Sequence, residues 1–147
     1  MLSRAERLGY HDVPSNRLPV RYVDRLLWAE ALVFCFPTWC FGMPAMLKGF
    51  FDRVLMPGVA FDISDPQNVK PALTHIKRIS AVVTYGRPRW TALLMGDPPR
   101  KSITRYLKLL TGGRASTTYH AQYHMNVATP EILTRFKSRV GRAMLHF

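Results

Sequence analysis

Two kinds of apolar spacing alternate along the chain. In residues 31–36 (ALVFCF) and 78–86 (RISAVVTYG) apolar residues follow one another almost without a break, as in strands buried on both faces of a parallel sheet. Around these runs they recur every three or four positions. Val20, Val23 and Leu27 predict a helix before the first strand, with Asn16 as its cap and Pro19 in its first turn. Leu47, Phe50, Phe51 and Val54 predict a second helix, opened at Pro44 and stopped at Pro57-Gly58, with Lys48 and Asp52 paired on its outer face. Ile103, Leu107 and Leu110 form the inner stripe of a third, over residues 101–110, which Gly112-Gly113 ends. Thr129-Pro130-Glu131 supplies the cap, first-turn proline and acid of the last, with Leu133, Phe136, Val140 and Met144 facing inward.

The remaining segments are less regular. Residues 115–125 (ASTTYHAQYHM) alternate in polarity and predict a third strand at the sheet margin. Residues 61–77 have the Asp, Asn and Pro content of a surface connection, with one short helical turn near 72–76. Pro88, Gly96, Pro98 and Pro99 predict a long loop over residues 87–100.

The resulting order, helix and strand in strict alternation, implies right-handed crossovers and a three-layer α/β sandwich around a parallel sheet. Ligands of such sheets sit beyond the carboxyl ends of the strands, which singles out PTWCFG (residues 37–42) and TYGRPRW (residues 84–90).

At 147 residues and 48% hydrophobic, the chain suits a single domain with one core. Its apolar runs fall far short of the ~20 residues of a membrane span, and its first dozen residues are too charged for a secretory signal, so a cytoplasmic protein is expected. Cys35 and Cys40 have neither a metal-ligand nor a CxxC spacing and read as reduced thiols. His75, His120 and His124 lack partners at ligand or triad spacing, and no metal site is expected.

The formal charge of +12 is unevenly spread, with eight basic residues and one acid in residues 101–147. Most of these cations fall on polar helix faces, so a nucleic-acid partner is disfavoured. A basic, non-catalytic protein for an acidic partner such as nucleic acid is the alternative reading.

The turn after the first strand joins a direction-fixing Pro37, the aromatic planes of Trp39 and Phe41, and a Gly42 that permits close backbone approach. Successive N–H groups beside an aromatic surface suit a flat, electron-accepting heterocycle better than a metal. Trp39 is accordingly read as a contact residue rather than core. Arg87, Arg89 and Trp90 read as solvated or anchoring loop residues.

The segment FPTWCFGMPAMLKGFFDRVLMPGVAF (residues 36–61) resembles the flavodoxin-like NAD(P)H:quinone oxidoreductase family, whose members carry P-x-W-x-x-x-P-A-x-L-K-x-x-x-D-R-V, and VVTYG (residues 82–86) resembles its second flavin-contacting turn. The resemblance implies that Pro37, Thr38, Trp39, Cys40 and Phe41 form one flavin loop, largely through main-chain atoms, and Thr84, Tyr85 and Gly86 the other. It further implies FMN or FAD as cofactor, NAD(P)H as electron donor, a quinone-like acceptor and a homodimer.

The chain aligns in order with the later two thirds of that family. The family's first strand, Ser/Thr phosphate loop and second strand have no counterpart here, so an N-terminally truncated, three-stranded flavodoxin-like sheet with an exposed hydrophobic first strand is expected, together with weaker flavin binding. The glycines of TGGRAST (residues 111–117) lie at the wrong sheet edge to replace the phosphate loop. Cys40 stands where an aromatic is frequent in the family, and no match is found for its proton-handling Tyr and His.

Overall fold

The structure, a computed structural model, describes residues 3–11, 20–65 and 67–147. Strands β1 (Ala31–Pro37), β4 (Arg78–Thr84) and β5 (Ser116–Gln122) form a parallel sheet in the order β1-β4-β5. Pairing is in step over seven residues, from Ala31 opposite Arg78 to Pro37 opposite Thr84, and from Arg78 opposite Ser116 to Thr84 opposite Gln122. The expected α/β layering and the marginal position of the third strand are thus found.

The register divides the sheet into two unlike faces. Leu32, Phe34 and Phe36 lie beside Ile79, Ala81 and Val83, the last three fully buried, and this side is closed by α3 (Ala45–Val54), through Phe51 and Val54, and by the continuous helical stretch of α5 (Pro98–Lys101), a π-wound segment (Ser102–Leu107) and α6 (Lys108–Leu110), through Ile103, Leu107 and Leu110. Phe34 meets Phe51 edge-on at 5.5 Å. On the other face Ser80 is buried and accepts a hydrogen bond from Thr118, while Val33 and Cys35 are exposed. The expectation that β1 is buried on both faces is therefore wrong: its apolar run has a packed side and an open one.

Helix α2 (Val20–Trp28) matches the first predicted helix; Asn16 and Pro19 lie outside the described residues. Val23 and Leu26 are buried, but Leu27, assigned to the inner stripe, is exposed. Lys48 pairs with Asp52 on α3 as expected. Residues 61–77 hold a two-residue antiparallel pair, β2 (Phe61–Asp62) with β3 (Lys70–Pro71), and a single turn from Leu73 to Ile76. At the chain's other end, α7 (Pro130–Met144) is capped by Thr129, whose hydroxyl accepts the Ile132 N–H, and it buries Phe136.

Three further departures have local causes. A short helix α1 (Arg4–Leu8), for which the sequence predicted no element, lies in the charged opening segment and starts at a reciprocal capping box of Ser3 and Glu6. Residues 87–100 are not a loop: Pro88 caps α4 (Arg89–Leu94), and Pro98 and Pro99 occupy the first turn of α5, where a missing N–H leaves no bond unmade. The true breakers are Gly96 and Asp97, both with positive φ. Finally, the helix predicted over 101–110 starts earlier and is π-wound over Ser102–Leu107. Among the described residues no helix is long and apolar enough to cross a membrane.

Candidate functional site

Because β1 and β4 are parallel and in register, their carboxyl ends release the chain at the same level. Pro37 is opposite Thr84, and the Thr84 carbonyl accepts both the Thr38 N–H at 2.8 Å and the Thr38 hydroxyl at 3.2 Å. The two bends singled out by the sequence thus lie side by side on one rim.

The first bend is a tight reversal. Trp39 and Gly42 exchange backbone hydrogen bonds of 3.1 and 2.7 Å, and Cys40 (φ 47°) and Phe41 (φ 58°) between them are both left-handed. This is the conformation of a type I′ turn, usually built from Gly, Asn or Asp; a β-carbon in it costs about 1–2 kcal/mol per residue. The inverted geometry leaves the N–H groups of Cys40 and Phe41 without a hydrogen-bond acceptor among the described residues. Trp39 is 67% exposed, which excludes a core role. Phe41 is half-buried and Cys40 exposed.

The second bend is anchored rather than strained. The Tyr85 N–H donates to Gln122, the Tyr85 carbonyl accepts from Met125, and the Arg87 carbonyl accepts from His124. Gly86 lies against Asn126: a β-carbon here would stand 3.2 Å from the Asn126 Oδ1. Thr84 is half-buried at the rim, but the Tyr85 ring is 1% exposed and turned into the core. Of the eight predicted site residues, seven reach the rim with side chain or free backbone. Tyr85 instead supports it from below.

The Tyr85 hydroxyl donates to Asp97 Oδ1 at 2.6 Å and lies 2.6 Å from the Tyr119 hydroxyl. Arg100 Nε donates to Asp97 Oδ2 at 3.0 Å, its Nη2 donates to the Tyr123 hydroxyl at 3.1 Å, and its guanidinium stacks 4.3 Å from the Tyr119 ring centre. Burial, reinforced by the bond to Asp97, pushes the Tyr85 hydroxyl far above the ordinary tyrosine range, and burial does the same to Tyr119. Both remain protonated donors at any physiological pH.

Sequence reasoning did not find this network. Its members are scattered over residues 85–123 and meet where Asp97 and Arg100 reach the Tyr85, Tyr119 and Tyr123 side chains. The one signal within the sequence is the acid in GDPP (residues 96–99), where Asp97 follows a glycine and is itself left-handed (φ 46°). Among the described residues no cluster of His, Cys, Asp and Glu could hold a metal ion.

Comparison with known proteins agrees with this architecture. A family model described as "Flavodoxin-like fold" matches residues 5–124. An "FMN-dependent NADH:quinone oxidoreductase" of Bordetella avium is 32% identical over 127 residues, which cover 83% of this chain and 59% of that protein. The chain thus spans well under two thirds of this relative's length. Among solved structures, the NAD(P)H:quinone oxidoreductase of Methanothermobacter marburgensis superposes with a TM-score of 0.74 at 21% identity, covering 97% of this chain and 73% of that one. An FMN-dependent NADH-azoreductase of Bacillus anthracis, in complex with FMN, gives 0.68 at 16% identity, covering 97% and 65%. At such identities these two likenesses speak for the fold alone.

Proposed function

Since the chain belongs to the flavodoxin-like fold family, we propose that its paired bends form the ring-binding part of a flavin-dependent NAD(P)H oxidoreductase acting on quinone-like acceptors. The supporting observation is the coupling of the bends through the Thr84 carbonyl, which sets the Trp39 turn beside Thr84 and Gly86. The residues fit such a ring. Cys40 and Phe41 present two N–H groups without an acceptor among the described residues, and Trp39 an exposed aromatic face.

FMN is favoured over FAD because the Bordetella avium relative is FMN-dependent by name. When bound, the flavin supplies two-electron chemistry between a reduced nicotinamide and a quinone-like acceptor. The chain's own contribution is positional: N–H groups from Cys40 and Phe41 hold a ring edge, Trp39 shields one side from water, and the Thr38–Thr84 bonds fix the width of the slot. A homodimer is expected from the resemblance.

The test is a titration of the chain with FMN and with FAD, following quenching of tryptophan fluorescence, and an assay of NADH- and NADPH-dependent quinone reduction. Saturable FMN binding is expected, weakened at least about tenfold in Trp39→Ala through loss of the aromatic contact. Absence of any saturable flavin binding, or equal affinity in the variant, would remove the reading.

A further inference from the structure

A second concave site lies on the outer edge of β5, away from β1. Arg89 of α4, Arg100 of α5, Arg139 of α7 and the β5 segment Tyr119-His120-Ala121, with Tyr123, surround a cavity of about 410 Å³. This is at the small end of the roughly 300–1,000 Å³ typical of small-molecule sites.

Four features mark it as more than a patch of solvated cations. Three guanidiniums from three separate elements line one cavity, and among the described residues the only carboxylate paired with any of them is the buried Asp97, on Arg100. Arg100 is held in one orientation by Asp97, the Tyr123 hydroxyl and the Tyr119 ring, so its remaining N–H groups are presented without loss of side-chain freedom. Arg139 reaches back to donate a 3.4 Å hydrogen bond to the Ala121 carbonyl, on the same strand edge. Between these cations, His120 Nε2 is buried and has no hydrogen-bond partner among the described residues, an arrangement that is costly unless something else satisfies it.

We propose that this cavity binds a small phosphate-bearing molecule, its phosphoryl oxygens shared between the Arg89, Arg100 and Arg139 guanidiniums and His120 Nε2. Guanidinium forks match phosphoryl oxygens in pairs, and a phosphoryl oxygen accepts from Nε2–H of the imidazolium or of the neutral tautomer that carries its proton there. A monoester and a diphosphate share this chemistry. The groups that line the cavity with the imidazole are Arg139 from α7, whose charge acts on it directly, Arg89 from α4, and Arg100 with Tyr119 and Tyr123. Without an anion, burial and the charge of Arg139 hold His120 below the ordinary histidine range; a bound phosphate reverses that bias. The inference does not rest on the flavin reading: Arg89 stands near the end of the second rim segment, but Arg100, Arg139 and His120 belong to neither bend.

The experiment follows the imidazole ¹⁵N and ¹H resonances of His120 in labelled protein. Inorganic phosphate and, separately, pyrophosphate are added at constant ionic strength, with sodium chloride as control. A saturable shift with phosphate or pyrophosphate, absent with chloride, is expected, and the tighter probe tells monoester from diphosphate. The exposed double variant Arg89→Gln/Arg139→Gln should weaken binding at least about tenfold while leaving the circular dichroism spectrum unchanged. Arg139→Lys, which keeps the charge but loses the fork, should fall between. A linear response equal to that of chloride, or wild-type affinity in the double variant, overturns the proposal. So does salt-sensitive binding of a single-stranded oligonucleotide while His120 ignores both phosphate probes.

Discussion

Cys40 and Phe41 are the least comfortable residues of the described backbone, two adjacent β-carbon-bearing residues in the left-handed region. Neither can be relaxed without opening the Trp39–Gly42 pair, so the strain is retained by that pair and by the Thr38–Thr84 bonds. Cys40→Gly removes one clashing β-carbon and should stabilise the fold by about 1 kcal/mol, somewhat less after the added chain entropy of glycine. Chemical denaturation measures it; a destabilised variant would mean that the Cys40 side chain makes contacts that outweigh its backbone cost. At this scale the sequence was informative about position and silent about conformation. Trp39 and Gly42 marked the turn, but nothing in Cys-Phe announces two positive φ angles. Tyr85 illustrates the converse. Its place in the motif suggested the rim, while its alternation with Ile79, Ala81 and Val83 along β4 puts its ring in the core.

Elements defined by long periodic patterns were legible, namely β1, β4, α3 and α7, because burial enforces the same period that the sequence displays. Those stabilised by a few capping groups were not. α1 rests on one capping box and on an ion pair from Glu6 to Arg53 of α3, at 3.0 Å. Hydrogen bonding from the Ser3 backbone and from Arg53 lowers the Glu6 carboxyl from 4.5 to about 2. Since the folded value is depressed, the contribution of Glu6 is complete above pH ~4.5 and is lost as pH falls through about 2. α1 should therefore be released from α3 in acid before the sheet melts, seen as loss of amide protection in residues 4–8 between pH 4.5 and 2. Glu6→Gln should show that release already at neutral pH, and protection that persists there would assign the docking of α1 to other contacts. The prolines of residues 87–100 misled for a related reason. A proline count registers breakers, whereas Pro88, Pro98 and Pro99 all stand at helix starts.

On the scale of the molecule, the dominant fact is asymmetry. One face of the sheet is closed by α3 and by the helical stretch from Pro98 to Leu110; on the other, Val33 and Cys35 lie open along β1, which has no strand beyond it among the described residues. An apolar edge strand with unpaired backbone groups templates pairing between copies. The 147-residue chain should therefore self-associate with rising concentration, and Val33→Lys should suppress this without altering the melting temperature by more than a few degrees. Light scattering against concentration decides it, and equal scattering from both proteins would place the association elsewhere. The parallel sheet was readable from the alternation of helices and strands, and the exposed first strand from the family resemblance. The unequal covering of the faces was not, since a run such as ALVFCF reads the same whether one or both of its sides are packed.

The double acceptance by the Thr84 carbonyl has an implication for redesign. Threonine at 38 bolts one loop to the other through main chain and hydroxyl alike, so the gap between them is set without help from residues 39–41. Those three positions can then be diversified in a library while the opening keeps its dimensions, and selectivity gained there would arise from the character of the walls and not from their spacing.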